Sequence, residues 1–329
     1  MKGKICFLIA VTLLVLLGCT KSRELTGKAI NEAPNDKIIF GVDTFTMASA
    51  PVFVAEAKGF WKQEGLNVEI RPFLSGRLAL DALVGGAVDA ATVTDFSTVL
   101  AAYQQQNVRI IATISTSEKH VGILARKDRG VLKPQDLTDK KIAVSSGTSG
   151  EFVLSGFLEI YNISKSDIKI INLNPPDMVA AVVRGDVDVI VTWQPYIYNA
   201  HKILENISIE YSSKGIYNQP FNVVVMEESI GRHGELQKKL LTGLKKAEKF
   251  MKENKKESIE IVAKKLGMDS KIVGSLWDNY SFKVGIEPNL VNSLENEGKW
   301  AKKVGIVKQD ATEPDYNSLI YDELIGSLK

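Results

Sequence analysis

The chain has 329 residues, 45% of them hydrophobic and 24% charged, the balance of a globular protein with a buried core rather than of a disordered or fibrous one. Its formal charge of +2 arises entirely from Lys2 and Lys4, since the other basic and acidic side chains number 39 each, and this leaves no electrostatic footprint for nucleic acid. Both cysteines, Cys6 and Cys19, fall near the amino terminus, which excludes a disulfide or thiol site in the body of the chain; His120, His201 and His233 lack any metal-ligand spacing.

The amino terminus carries an export pattern. Two lysines lie within Met1 to Lys4, an uncharged apolar run extends from Ile5 to Leu17, and small Gly18 precedes Cys19. A spanning helix needs ~20 apolar residues, so this run is too short to anchor the chain by itself. Leu16-Leu17-Gly18-Cys19 resembles the lipobox of bacterial lipoproteins. The resemblance implies loss of residues 1–18, acylation of Cys19, and attachment to a lipid bilayer outside the cytoplasm. Residues 19–37 are polar, contain Gly27 and Pro34 and lack an apolar period, so a flexible tether is expected.

From Ile38 short β-rich runs alternate with amphipathic stretches, the pattern of an α/β fold. Strands are expected at 38–42, 67–73, 89–93 and 109–113, with helices at 51–58, 76–84 and 97–105. After Leu132-Lys133-Pro134 the pattern resumes, with strands at 141–144, 169–173 and 188–191 and helices at 150–161 and 177–184. Two α/β lobes follow from this. An internal echo supports them: Gly86-Ala87-Val88-Asp89 and Gly185-Asp186-Val187-Asp188 each close an apolar helix and lead into a strand, 99 residues apart. The rest of the chain reads as amphipathic helices at 236–254, 258–266, 271–280 and 288–304, whose lysines are interleaved with glutamates and belong to solvated faces.

The run from Met47-Ala48-Ser49-Ala50-Pro51 through Lys58-Gly59-Phe60-Trp61 to Val68-Glu69 resembles the first motif of the nitrate/sulfonate/taurine family of ABC-transporter substrate-binding proteins. Ser75-Gly76 with the first Gly-x-Val-Asp, Lys141 to Thr148, and Trp193-Gln194-Pro195 resemble its later motifs in order. The resemblance implies a type II periplasmic-binding-protein fold, two lobes of mixed sheet flanked by helices that close on a solute. It places chain crossings near 120–126 and 220–226, with lobe 1 formed by 38–120 and 226–329 and lobe 2 by 121–225. The partners implied are a small-molecule solute and an ABC permease in the membrane. A monomer with no cofactor, no nucleic acid and no enzymatic activity is expected.

Open α/β sheets bind ligands beyond the carboxyl ends of their strands. That rule nominates Thr46 and Ser49 after the first strand, Ser75, Gly76 and Arg77 after the second, and Thr94 and Asp95 after the third. In the second lobe it nominates Ser146, Gly147, Thr148 and Ser149, then Asp177, then Trp193 and Gln194, with Tyr217 nearby. Hydroxyls and glycines at the helix starts 75–76 and 145–150 expose N–H groups to an anion, or cap their own helices. Arg77 reads as an anion clamp or a solvated side chain. Asp95 is either an N-cap or a carboxylate that disfavours an anion and suits an amine-bearing solute such as taurine or an aminopyrimidine. Trp193 and Tyr217, with Phe45, Phe96 and Tyr196, are aromatic walls or core.

Three functions are consistent with these features. The first is a receptor for a small anion or sulfonate such as taurine or nitrate. The second is a receptor for a thiamine-precursor pyrimidine or other aromatic heterocycle. The third, remote, is a pyrimidine-synthesising enzyme, which would need a catalytic cysteine or histidine and a cofactor lysine; no cysteine follows Cys19.

Overall fold

The computed structural model describes residues 36–328, so the export signal at 1–18, Cys19 and nearly all of the expected tether lie outside the described residues. The strands are β1 (Lys37–Asp43), β2 (Asn67–Phe73), β3 (Ala90–Thr94), β4 (Val108–Ser117), β5 (Val121–Arg126), β6 (Lys141–Val144), β7 (Lys169–Asn172), β8 (Val189–Trp193), β9 (Ser208–Ser212) and β10 (Gln219–Met226). Between them run α1 (Ala50–Lys58), α2 (Phe60–Gln63), α3 (Gly76–Val84), α4 (Asp95–Tyr103), α5 (Ser149–Ile160), α6 (Pro175–Arg184) and α7 (Tyr196–Leu204). The carboxyl-terminal part adds α8 (Glu227–Glu253), α9 (Lys255–Leu266), α10 (Ser270–Trp277), α11 (Leu290–Lys303) and α12 (Glu323–Gly326). Among the described residues no helix is long and apolar enough to cross a membrane.

The strands form two five-stranded sheets, in the orders β2-β1-β3-β10-β4 and β7-β6-β8-β5-β9. The two have the same plan: three parallel strands, then an antiparallel strand, then an edge strand antiparallel to that. Helices cover both faces of each sheet, and separate apolar clusters lie on each face. The central strands β3 and β8 are therefore apolar or hydroxylated throughout and fully buried.

The repeated Gly-x-Val-Asp has one structural job in both lobes. Asp89 Oδ2 accepts the Ile39 N–H at 2.7 Å and Asp188 Oδ2 accepts the Lys141 N–H at 2.9 Å, so each aspartate pins the first of its sheet's three parallel strands, in chain order, to the third. The glycine that ends the helix turns left-handed in each case, at Gly86 with φ +72° and Gly185 with φ +82°.

The crossings differ from expectation. Residues 121–126, read as part of a linker, are β5, a fully buried strand of the second sheet, and the chain passes between lobes at 118–120. Residues 219–226 were assigned to the second lobe and its exit, yet β10 is inserted between β3 and β4 of the first sheet. The second crossing is consequently at 213–218. β10 is a continuous buried run that satisfies both neighbouring ladders, and Pro220 is admitted near its start where the ladder to β4 becomes irregular. Helix α7 and strand β9 were not anticipated, and α8 starts at Glu227 rather than at 236.

Helix α8 packs against α1 and α2. Trp61 is buried, its Nε1 donates to the Leu240 carbonyl at 2.9 Å, and its indole lies on Gly243 so closely that a Cβ there has no room. Gly231, in the same helix, has open space around it. Gly243→Ala is expected to lose ~1 to 3 kcal/mol from overpacking, whereas Gly231→Ala gains up to ~1 kcal/mol from helix propensity. Urea unfolding of the two variants checks the opposite signs.

Candidate functional site

A small cavity lies between the lobes, walled by Asp43, Ser75, Gly76, Arg77, Thr94, Ser97 and Phe221 of the first, Thr148, Ser149 and Trp193 of the second, and His120 of the first crossing. Most of these residues stand where parallel strands give way to helices, the position topology favours for a ligand. The α3 tip packs directly on β3: a Cβ on Gly76 would lie 3.0 Å from the Thr92 carbonyl oxygen and 3.2 Å from the Val93 Cα, so no side chain fits.

The lobes touch around this cavity. Ser97 Oγ donates to the Gly147 carbonyl at 2.8 Å. Phe152 of α5 packs with its ring centroid 5.4 Å from Phe96 and 4.5 Å from Trp300, both on the opposite lobe. Lys303 reaches Glu159 across the surface at 2.5 Å.

Seven of the nominated residues come together at the cavity: Ser75, Gly76, Arg77, Thr94, Thr148, Ser149 and Trp193. Their hydroxyls are partly spent on capping. Ser75 Oγ accepts from Leu78 N–H, Thr94 Oγ1 from Ser97 N–H and Thr148 Oγ1 from Gly150 N–H. Arg77 pairs with Asp81 at 3.0 Å, and its guanidinium approaches Gly147 across the cleft. Trp193 is 3% exposed, and its Nε1 has no hydrogen-bond partner among the described residues.

The other nominated residues stand back from the cavity. Thr46 caps the turn that follows β1, through Ala48 N–H, and Ser49 Oγ donates to the Asp43 carbonyl. Ser146 is exposed, its N–H held by Asn172, while Gly147 N–H goes to Glu151 at 2.8 Å. Gln194 Oε1 accepts from Tyr198 N–H. Asp177 lies in an exposed depression with Lys141 and Arg184, because β7 before it is the outer edge of its sheet.

Asp95 and Tyr217 are hydrogen-bonded to each other. The Tyr217 hydroxyl, from the second crossing, donates to the Asp95 carboxylate, which also accepts its own helix's Phe96 N–H at 2.9 Å. Glu297 of α11 adjoins this pair, is buried, and has no donor for either oxygen among the described residues. Burial first, and then the neighbouring Asp95 charge, raises the Glu297 carboxyl well above its usual range. It therefore keeps its proton and donates to Asp95, which burial raises to about 6. Two acids from the first lobe and one phenol from the crossing form a closed network.

Asp43, His120, Ser97 and Phe221 were not nominated as contacts. Asp43 is the most consequential: it ends β1, is 2% exposed, and its carboxylate accepts Phe45 N–H at 3.0 Å and Gly76 N–H. Burial raises it to about 7 despite those bonds. His120 stacks near Trp193 with centroids 6.3 Å apart, bonds Tyr280 through Nδ1 at 2.8 Å, and burial depresses it to about 3, so it is neutral. The signal for Asp43 was its place at a strand's carboxyl end, one residue before the nominated loop.

Two similar α/β lobes, joined by two short crossings and meeting over a polar cavity at their strand ends, define a two-lobed periplasmic-binding-protein fold. The chain belongs to the NMT1/THI5-like family, whose model matches residues 46–258. It is 30% identical over 154 residues to the taurine-binding periplasmic protein of Escherichia coli (strain K12), covering 46% of this chain and 48% of that one. A Bacillus subtilis (strain 168) protein named for binding aliphatic sulfonates is 26% identical over 284 residues, covering 85% and 83%. The alkanesulfonate-binding protein SsuA of Xanthomonas axonopodis pv. citri, solved bound to MOPS, shares the fold with a TM-score of 0.78 at 17% identity, over 88% of this chain and 99% of that one.

The Asp43 carboxyl makes stability depend on pH. Its value is about 7 in the folded chain against an ordinary 3.8, so the folded state holds the proton more tightly and its contribution to stability is lost as pH rises between those values. Of the groups facing it, burial holds His120 neutral over that window and raises the Tyr196 phenol above it. Asp43→Asn should gain on wild type by on the order of 1.4 kcal/mol per pH unit from about pH 4 to 7 and then level off. Chemical denaturation across that range would contradict this with a constant difference.

Proposed function

We propose that the protein is an extracytoplasmic solute receptor that delivers a small sulfonate or related organic acid to an ABC importer. The observation that carries the reading is the buried interlobe cavity, walled from both lobes and retaining an unpartnered indole N–H. The relatives named for taurine and aliphatic sulfonates support the same solute class. Acylated Cys19 holds the receptor on the outer side of a membrane as a monomer, and the permease reads its closed form.

Closure is the working step. The solute touches both lobes only when Ser97 meets Gly147 and Phe152 seats between Phe96 and Trp300, so binding shifts the population toward the closed state. Micromolar affinity corresponds to about 8 kcal/mol, within reach of a few charge-assisted hydrogen bonds and an aromatic wall. A flat nitrogen heterocycle is the second reading, favoured by the grouping of Trp193, His120 and Tyr196 beside the cavity.

A thermal-shift screen of taurine, alkanesulfonates, nitrate and aminopyrimidines tests the reading. A solute at about a hundred times its Kd adds ~2.7 kcal/mol of stability, a rise of a few degrees. Trp193→Phe retains an aromatic ring and loses only the N–H, so calorimetry should give about tenfold weaker binding of that solute with the melting point of the free protein little changed. Unaltered affinity would remove Trp193 from the site.

A further inference from the structure

The geometry points to a zwitterionic solute, a small molecule whose protonated nitrogen faces the Asp43 carboxyl while its acid group takes the donors of Trp193 and Arg77. This inference rests on the reading of the interlobe cavity as the solute site. A helix tip with free N–H groups would suit a plain anion, but both tips at this cleft already carry a carboxylate of the protein. Gly76 N–H at the α3 tip donates to Asp43. Gly147 N–H at the α5 tip donates to Glu151 Oε2 at 2.8 Å. An anion alone would meet two acids where it needs donors.

The remaining polar side chains at the cavity include one carboxyl and one guanidinium, with the Trp193 N–H beside them. Asp43 is almost fully buried and is held by backbone N–H groups, with no cation among the groups that set its ionisation. It is a built acceptor without a counter-charge. Tyr196 and Trp193 lie next to it, their rings 6.2 Å apart, each with a buried polar atom that lacks a partner among the described residues. Arg77, 25% exposed, is the one cation among the described residues that wall the cavity. Its bond to Asp81 leaves guanidinium N–H groups for an incoming acid. An ammonium on Asp43 and a sulfonate or carboxylate on Trp193 Nε1 and Arg77 give each of these three side chains a partner of matching kind. A buried polar site discriminates most strongly against the analogue that lacks its partner, so the amine, more than the acid, sets selectivity.

The test uses matched pairs on the full-length chain: taurine against ethanesulfonate, and β-alanine against propionate, by isothermal calorimetry at pH 7.5. The expected result is binding of at least one amino member, at least about tenfold tighter than its partner. Asp43→Asn should erase most of that ratio by weakening the amino member alone, its fold checked by melting. Ethanesulfonate bound as tightly as taurine would overturn the zwitterion while leaving the sulfonate receptor standing. Failure of all four at millimolar concentration would overturn the receptor reading itself, and with it this inference. If Asp43→Asn does not fold, the wild-type ratio alone decides.

Discussion

Covalent continuity between the lobes is limited to two short passages, 118–120 and 213–218, and the rest of the structure depends on that constraint. Each passage leaves one sheet from its outer antiparallel strand and enters the other next to a central strand, β4 into β5 and β9 into β10. Each sheet therefore holds its own core on both faces, and neither needs the other to bury its apolar surface. What lies between them is free to be polar. That is why serines, threonines and an aspartate collect at the seam.

The seam handles its polar groups in two ways. Around Asp95, Glu297 and Tyr217 the protein answers its own demands, one proton being shared between two acids and a phenol closing the network. Around Asp43, Trp193 and Tyr196 it leaves demands open. An unpartnered buried donor costs on the order of 1 to 3 kcal/mol. Those groups stand at the carboxyl ends of β1 and β8, the position proposed for the solute. Phe152, wedged between Phe96 and Trp300, supplies apolar contact that holds the lobes together around it.

Much of this was legible in the sequence, for physical reasons that also explain the misses. Strand β2, helix α3 and strand β6 were read with their observed limits because helix caps or turn residues adjoin them at Gly65, Ser75 and Gly147. The paired Gly-x-Val-Asp disclosed the lobes, and the structure explains the aspartate by its bond to a neighbouring strand. Strands β5 and β10 were taken for linkers since a strand buried on both faces lacks alternation, and Pro220 argued against one of them. Strand-end logic nominated Thr94, Thr148 and Trp193, which the fold brings to the interlobe cavity. It also nominated Asp177, which stands in an outer depression because β7 is an edge strand, a fact no local pattern reveals, and it did not nominate Asp43. The bond between Asp95 and Tyr217 joins residues far apart in the chain, and no local pattern encodes it.

Closure of one lobe on the other around a captured solute is the claim on which the account stands. Because no cysteine follows Cys19, single labels can be placed cleanly on the two lobes, at exposed Lys62 and Ser166. Pulsed dipolar spectroscopy between nitroxides at those positions should give a broad distance distribution in the free protein, which shortens and narrows with the solute that raises its melting point. Distributions that coincide with and without saturating solute would contradict it.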